Sequence, residues 1–220
     1  MKTSLKNDRA DCIAIIANGQ APPFNLLDEY LKDVGLIIAV DGGSLICRQY
    51  ALIPDYIIGD LDSIDRNTRD YFSSVSFIET PDQDFTDMQK TLRFVARFHP
   101  KTIRIFAAFG KRPDHSFGNL LIFEQYSGDA RLEIYDRFGR LRRLKAGRYS
   151  LASIAGGTVS LFSLQPIHKL SLSGFKYEVS NQNFDPYFMG ISNEYTQNSC
   201  RISFDSGTLF IYEHFPLPGK

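Results

Sequence analysis

The sequence predicts an α/β domain built on a parallel sheet, followed by a C-terminal all-β sandwich. Two observations carry this. Short, continuously apolar runs alternate with helical patterns through the first part of the chain. Near Arg137 the helical patterns fade, and short strand patterns separated by turn residues take over. The expected domains are therefore 1–138 and 139–220.

In the first domain, Cys12–Ala17, Leu36–Val40, Tyr56–Ile58 and Ile103–Phe109 read as strands, with Ser76–Ile78 the least marked. Their apolar residues run without a break, as in strands covered on both faces of a parallel sheet. Helices are expected over Pro22–Lys32, Gly43–Tyr50, Asp65–Phe72, Phe85–Phe98 and Ser116–Tyr126. The first begins with prolines, which suit a first turn. Phe85–Phe98 sets Met88, Leu92, Val95 and Phe98 on one stripe. In the second domain, strands are expected at Leu141–Leu144, Tyr149–Ala152, Thr158–Leu164, Lys169–Gly174, Gly190–Tyr195, Cys200–Phe204 and Thr208–Glu213. Gly156-Gly157, Pro166 and Asp205-Ser206-Gly207 punctuate them.

The composition narrows the function. The chain has 220 residues, 43% of them hydrophobic, and its 25 basic and 25 acidic residues cancel. A neutral chain lacks the basic surface that duplex nucleic acid requires, so any phosphate must be gripped locally. Cys12, Cys47 and Cys200 are far apart with no CxxC spacing, which argues for a reducing, cytoplasmic compartment and against a disulfide scaffold. Met1–Asp11 is polar, so no signal peptide is expected, and no apolar run approaches the roughly 20 residues of a membrane span.

The chemical signal is acidic and sits where strands end. Asp41-Gly42-Gly43 follows one strand, and Gly59-Asp60-Leu61-Asp62-Ser63 follows the next. Thr80-Pro81-Asp82-Gln83-Asp84-Phe85-Thr86-Asp87 precedes a helix, and Gly110-Lys111-Arg112-Pro113-Asp114-His115 follows the IRIFAAF strand. Open α/β sheets bind ligands at this carboxyl edge. In an extended chain Asp60 and Asp62 would point to one side, and in a first helical turn Asp84 and Asp87 would share a face. Clustered carboxylates repel unless a cation joins them, and an all-oxygen donor set favours magnesium, with manganese possible, over zinc. Lys90 and Arg112 are placed to neutralise phosphates. Gly42-Gly43 would let backbone approach an anion, and Asn18-Gly19 is a further nucleotide contact or a turn. Taken singly, the motifs have plainer roles: Asp84 as a helix cap, Asp41 as a turn opener, Lys90 as a partner of Asp87, His115 as a cap or a packed polar residue.

Together these segments resemble the thiamine pyrophosphokinase family. Gly118-Asn119-Leu120 after His115, and Gly190-Ile191-Ser192-Asn193-Glu194 in the second domain, extend the resemblance over nearly the whole chain. It implies an ATP-binding α/β domain and a β-sandwich for thiamine binding and dimerisation, in a homodimer with thiamine between subunits. It implies Asp60, Asp62 and Asp87 as magnesium ligands, and Asp41, Gln83, Lys90 and Arg112 as ATP-site residues with Asp84 in support. Asp114, Ser192 and Asn193 would meet the substrate, with His115 in support. The implied reaction is attack of thiamine's hydroxyl on the β-phosphorus of ATP, releasing AMP, with the proton acceptor open between Asp114 and Asp41. The chain departs from the family pattern in two places. Lys111 and Pro113 fill a loop where a second glycine is frequent, and there is no Trp to pack on thiamine, leaving Tyr212, Phe215 or another aromatic. Rival readings are a diphosphokinase acting on a hydroxymethyl pterin, a metal-dependent phosphohydrolase, and a non-catalytic nucleotide or thiamine sensor.

Overall fold

The computed structural model describes residues 10–62 and 64–215. Met1–Arg9, read above for the lack of a leader, and Ser63 of the second acidic motif lie outside the described residues. The chain forms two compact units that meet in sequence at Arg137 and Phe138. Among the described residues, no helix is long and apolar enough to cross a membrane.

The first unit is a parallel sheet. Its strands are β1 (Cys12–Ile16), β2 (Leu36–Val40), β3 (Tyr56–Gly59), β4 (Ser76–Glu79), β5 (Thr102–Phe106) and β6 (Arg131–Tyr135). They lie in the order β6-β5-β1-β2-β3-β4, each pair parallel. Ile13 to Ile16 are buried without interruption, which explains a run with no polar alternation. The helices α1 (Phe24–Leu31), α2 (Gly43–Gln49), α3 (Arg66–Tyr71), α4 (Asp87–Ala96) and α5 (Pro113–Gln125) each join successive strands. Right-handed crossovers put α1 to α3 on one face and α4 and α5 on the other. Chain order reverses at β1, which has β2 on one side and β5 on the other. That reversal makes the carboxyl ends of β1, β2 and β5 the natural ligand crevice.

The second unit is all-β and antiparallel. Its strands are β7 (Gly139–Ala152), β8 (Thr158–Phe162), β9 (Ile167–Ser173), β10 (Val179–Phe184), β11 (Met189–Glu194) and β12 (Ser199–His214). The two segments expected at Leu141–Leu144 and Tyr149–Ala152 are one strand, as are those at Cys200–Phe204 and Thr208–Glu213. β12 switches partners along its length: its first half pairs with β7 and β9, its second with β7 and β8. The register shifts between Phe204 and Thr208, where Gly207 takes φ +97°. The shift changes which residues face inward, so Cys200, Ile202 and Phe204 share one core with Leu209 and Ile211. Leu170 and Leu172 of β9 and Val159 and Leu161 of β8 close that core from the two ends of β12.

Candidate active site

The strand ends of the first unit are built close together. Gly19 N donates to the Ala107 carbonyl at 2.6 Å and Gln20 N to that of Phe109 at 2.6 Å, tying the loop after β1 to the loop after β5. A Cβ on Gly43 would lie 2.1 Å from the Ile16 carbonyl oxygen, and one on Gly42 2.2 Å from Asn18 Nδ2. Gly43 thereby lets the end of β1 approach the start of α2, and Gly42 leaves room for the Asn18 side chain. Asp41, Leu61 and Ala107 follow β2, β3 and β5 with φ of 43°, 63° and 56°. Non-glycine residues in the left-handed region after three strands of one sheet edge are the kind of strain that collects at ligand sites.

Three carboxylates converge here. Asp41, Asp60 and Asp87 each offer an oxygen, and these oxygens lie within 4.8 Å of one another. Asp62 is not in this trio. The extended pairing expected for Asp60 and Asp62 does not form, because the left-handed turn at Leu61 breaks the alternation. Asp62 is exposed, and its N–H donates to Asp60 Oδ1 at 3.2 Å. Asp84 also departs from expectation. The cap of α4 is Thr86, whose hydroxyl accepts from Gln89 N at 3.3 Å while Gln89 Oε1 accepts from Thr86 N at 3.0 Å. Helix α4 therefore starts at Asp87. Asp84 precedes it, its own N–H donating to Asp82 Oδ1 at 2.8 Å.

Lys90 is nearly enclosed, its side chain 9% exposed, and donates to the Thr80 carbonyl at 2.8 Å and to Asp87 Oδ1 at 3.2 Å. Burial raises the Asp87 carboxyl above its ordinary range, and the charges of Asp60 and Asp41 add to that. The hydrogen bond and charge of Lys90 oppose it. A second positive charge between the three oxygens would relieve the same repulsion. The all-oxygen, closely spaced donor set fits magnesium or manganese.

A cleft of ≈ 530 Å³ opens beside the trio and brings together Asn18, Asp41, Asp60, Gln83, Asp84, Asp87, Lys90, Asp114 and His115. A smaller one of ≈ 250 Å³ is lined by Asn18, Lys111, Arg112 and His115. Pro113 starts α5, three residues earlier than expected, which places Asp114 and His115 in its first turn. Arg112 and Asp114 hold each other through two hydrogen bonds of 3.1 and 2.5 Å. That bond to Arg112 lowers the Asp114 carboxyl to about 2. Three contributors were missed. Asn119 lines both clefts and donates to the Ala108 carbonyl at 2.7 Å. Lys111 Nζ reaches Asn18 Oδ1 at 3.0 Å. Gln89 was readable from the Thr-x-x-Gln spacing of a capping box.

In the second unit, Ser192 sits in an irregular stretch of β11, with φ 57°, and its N–H donates to Ser160 Oγ at 3.1 Å. Asn193 is buried, 3% exposed.

The chain matches two family models: "Thiamin pyrophosphokinase, catalytic domain" over residues 27–135 and "Thiamin pyrophosphokinase, vitamin B1 binding domain" over 148–209. It is 27% identical over 209 residues to a thiamine pyrophosphokinase of Bacillus subtilis (strain 168), covering 90% of this chain and 96% of that one. A crystal structure of thiamine pyrophosphokinase from Bacillus subtilis superposes with a TM-score of 0.82 at 26% identity, over 94% of this chain and 100% of the other. One from Geobacillus thermodenitrificans gives 0.81 at 26% identity, over 94% and 99%.

Proposed function

This chain belongs to the thiamin pyrophosphokinase family, and on that premise we propose that it transfers the terminal diphosphate of ATP to the hydroxyl of thiamine, giving thiamine diphosphate and AMP. The observation that carries the reading is the meeting of Asp41, Asp60 and Asp87 beside Lys90 at the carboxyl edge of the sheet. The match of the second unit to a vitamin B1 binding domain supports thiamine over a pterin as acceptor.

Asp41, Asp60 and Asp87 would hold magnesium, with manganese as a substitute, and Asp62 is a further exposed carboxylate close by in the chain. A bound ion would supply charge neutralisation at the transferred phosphates. Lys90 adds a fixed ammonium at the same place, its Nζ held by the Thr80 carbonyl. Asn18, Gln83 and Asp84 line the ATP cleft; Gly43 shapes it by letting β1 and α2 approach, and Gly42 by leaving room for the Asn18 side chain. The thiamine oxygen forms its bond to the β-phosphorus and gives up its hydroxyl proton to solvent, the bond from that phosphorus to the α,β-bridging oxygen breaks, and AMP leaves. Most of the acceleration comes from positioning and electrostatics. Asp114, held at about 2, stays ionised but is a weak base near neutral pH, so its role is orientation with Arg112 and His115.

The buried, unbridged Cys12, Cys47 and Cys200 support a reducing, cytoplasmic setting. A homodimer is supported by exposed Met189 and Ile191 on β11, which among the described strands pairs only with β8. Incubation with ATP, magnesium and an equimolar mixture of thiamine and a hydroxymethyl pterin tests the reaction by mass spectrometry. Thiamine diphosphate and AMP in equal amounts are expected. Thiamine monophosphate with ADP, a pterin diphosphate, or phosphate release without an acceptor would each overturn it.

A further inference from the structure

The two clefts at the carboxyl edge of the first unit differ in charge. The larger gathers Asp41, Asp60, Asp84, Asp87 and Asp114. The smaller carries Lys111 and Arg112, and its lining, among the described residues, contains no carboxylate. Asn18, His115 and Asn119 line both, so a single extended ligand can occupy the two together.

The backbone beneath the smaller cleft is fixed. Ala17 N donates to the Phe106 carbonyl at 2.9 Å, and with the bonds of Gly19 and Gln20 it zips the loop after β1 to the loop after β5. Asn18 sits on this zip with its amide against Gly42, and its Oδ1 accepts from Lys111 Nζ at 3.0 Å. The tether orders the lysine without neutralising it. Lys32, Lys90, Lys101 and Lys169 each pair with a carboxylate. So does Arg112, whose guanidinium is taken up by Asp114. Lys111 holds a neutral amide instead, and among the described residues no carboxylate forms an ion pair with it. An ordered cation of uncompensated charge, in a cleft without carboxylates, suits a phosphate. This charge is an addition to the family pattern, in which a glycine is frequent at the Lys111 position.

The clefts divide an ATP molecule by chemistry. The transferred diphosphate belongs at the carboxylate trio, where a divalent ion would offset its charge. The phosphate that stays with the nucleoside needs a second positive partner. It takes the electron pair of the broken bond on its bridging oxygen and leaves with one more negative charge. We propose that Lys111 is a further nucleotide-binding residue of this chain, holding the phosphate of the AMP half of ATP in the smaller cleft, and that Asn18 positions its ammonium. The proposal rests on the proposed release of AMP.

The test titrates the full chain with AMP in EDTA, followed by phosphorus NMR, so that no metal contributes to binding. Lys111→Met is expected to weaken AMP binding about tenfold, and Lys111→Arg, which keeps the charge, to restore most of it. Adenosine, which lacks the phosphate, should bind the unmutated chain and Lys111→Met equally. Asn18→Ala should weaken AMP binding on its own and have no further effect in Lys111→Met, as expected of a residue acting through the lysine. Lys101→Met, at the amino end of β5, should change nothing. In turnover, AMP should inhibit Lys111→Met less than the unmutated chain. Unchanged AMP affinity in Lys111→Met, an equal loss for adenosine, or no AMP binding by the unmutated chain would overturn the proposal. A chain that binds AMP through Lys111 yet does not turn over thiamine would lose the thiamine reading and keep this one, whereas release of ADP in place of AMP would remove both.

Discussion

Single residues at the site are tuned by their neighbours. Asp87 is an acid whose folded-state proton affinity is raised, mainly by burial. Such a group stabilises the fold fully only below its unfolded pKa, and that contribution is lost as pH rises through the folded value. Without a divalent cation, stability should therefore decline as pH climbs through the raised Asp87 value, and magnesium should remove the decline; melting curves across pH with and without the ion measure both. Lys90 is the opposing influence. Lys90→Met removes two hydrogen bonds and should cost about 1.5–3 kcal/mol of stability. It should also move the acid limb of the kcat/KM profile to higher pH, because Asp87 then holds its proton more tightly. Cys47 is a different case: burial pushes its thiol up to about 12, so the native thiol resists alkylation near pH 8. Its folded pKa is raised too, so stability should fall above about pH 9, where the unfolded thiol ionises and the folded one does not. Rapid labelling of all thiols in the native protein would contradict this burial.

At the scale of elements, the strand-to-helix junctions decide what the sequence could disclose. The motifs Asp41-Gly42-Gly43 and Thr80 to Asp87 were legible because each follows a strand pattern, and the parallel sheet carries such strands to one edge. The arrangement inside each junction was not. Whether Asp60 and Asp62 point together depends on Leu61, and nothing local in a leucine announces a left-handed backbone. The α4 boundary was readable in principle from Thr86 and Gln89, but the neighbouring aspartates offered competing caps. Strand β6 was missed because Arg131 and Glu133 interrupt its apolar residues. Strand β10 was missed because Ser180 to Asn183 are all polar and the strand is largely exposed. Two predictions belong here. Thr86→Ala should destabilise by about 1 kcal/mol in denaturant melts. Gly43→Ala should cost more, about 1–3 kcal/mol, because its Cβ meets the Ile16 carbonyl at 2.1 Å.

Across the whole molecule, the chain combines a nucleotide-type parallel unit with an antiparallel unit matching a vitamin B1 binding domain. Ligands that bind only the native state raise its melting temperature by mass action. Magnesium-ATP should therefore stabilise the intact chain, and Asp60→Asn should abolish most of that shift while leaving the unliganded melt close to normal. Sedimentation should show a dimer that Met189→Lys weakens, since a charge would then replace one of the two exposed apolar side chains of β11. A monomer at micromolar concentration would remove the dimer from the account.

The central claim is that Asp41 and Asp60, which follow β2 and β3, and Asp87, which starts α4, act as one divalent-cation site. Titration with Mn²⁺ in the presence of ATP, followed by electron paramagnetic resonance, tests it directly. The unmutated chain should show a protein-bound ion whose affinity drops at least about tenfold in each of Asp41→Asn, Asp60→Asn and Asp87→Asn. Undiminished binding in all three variants would contradict the account.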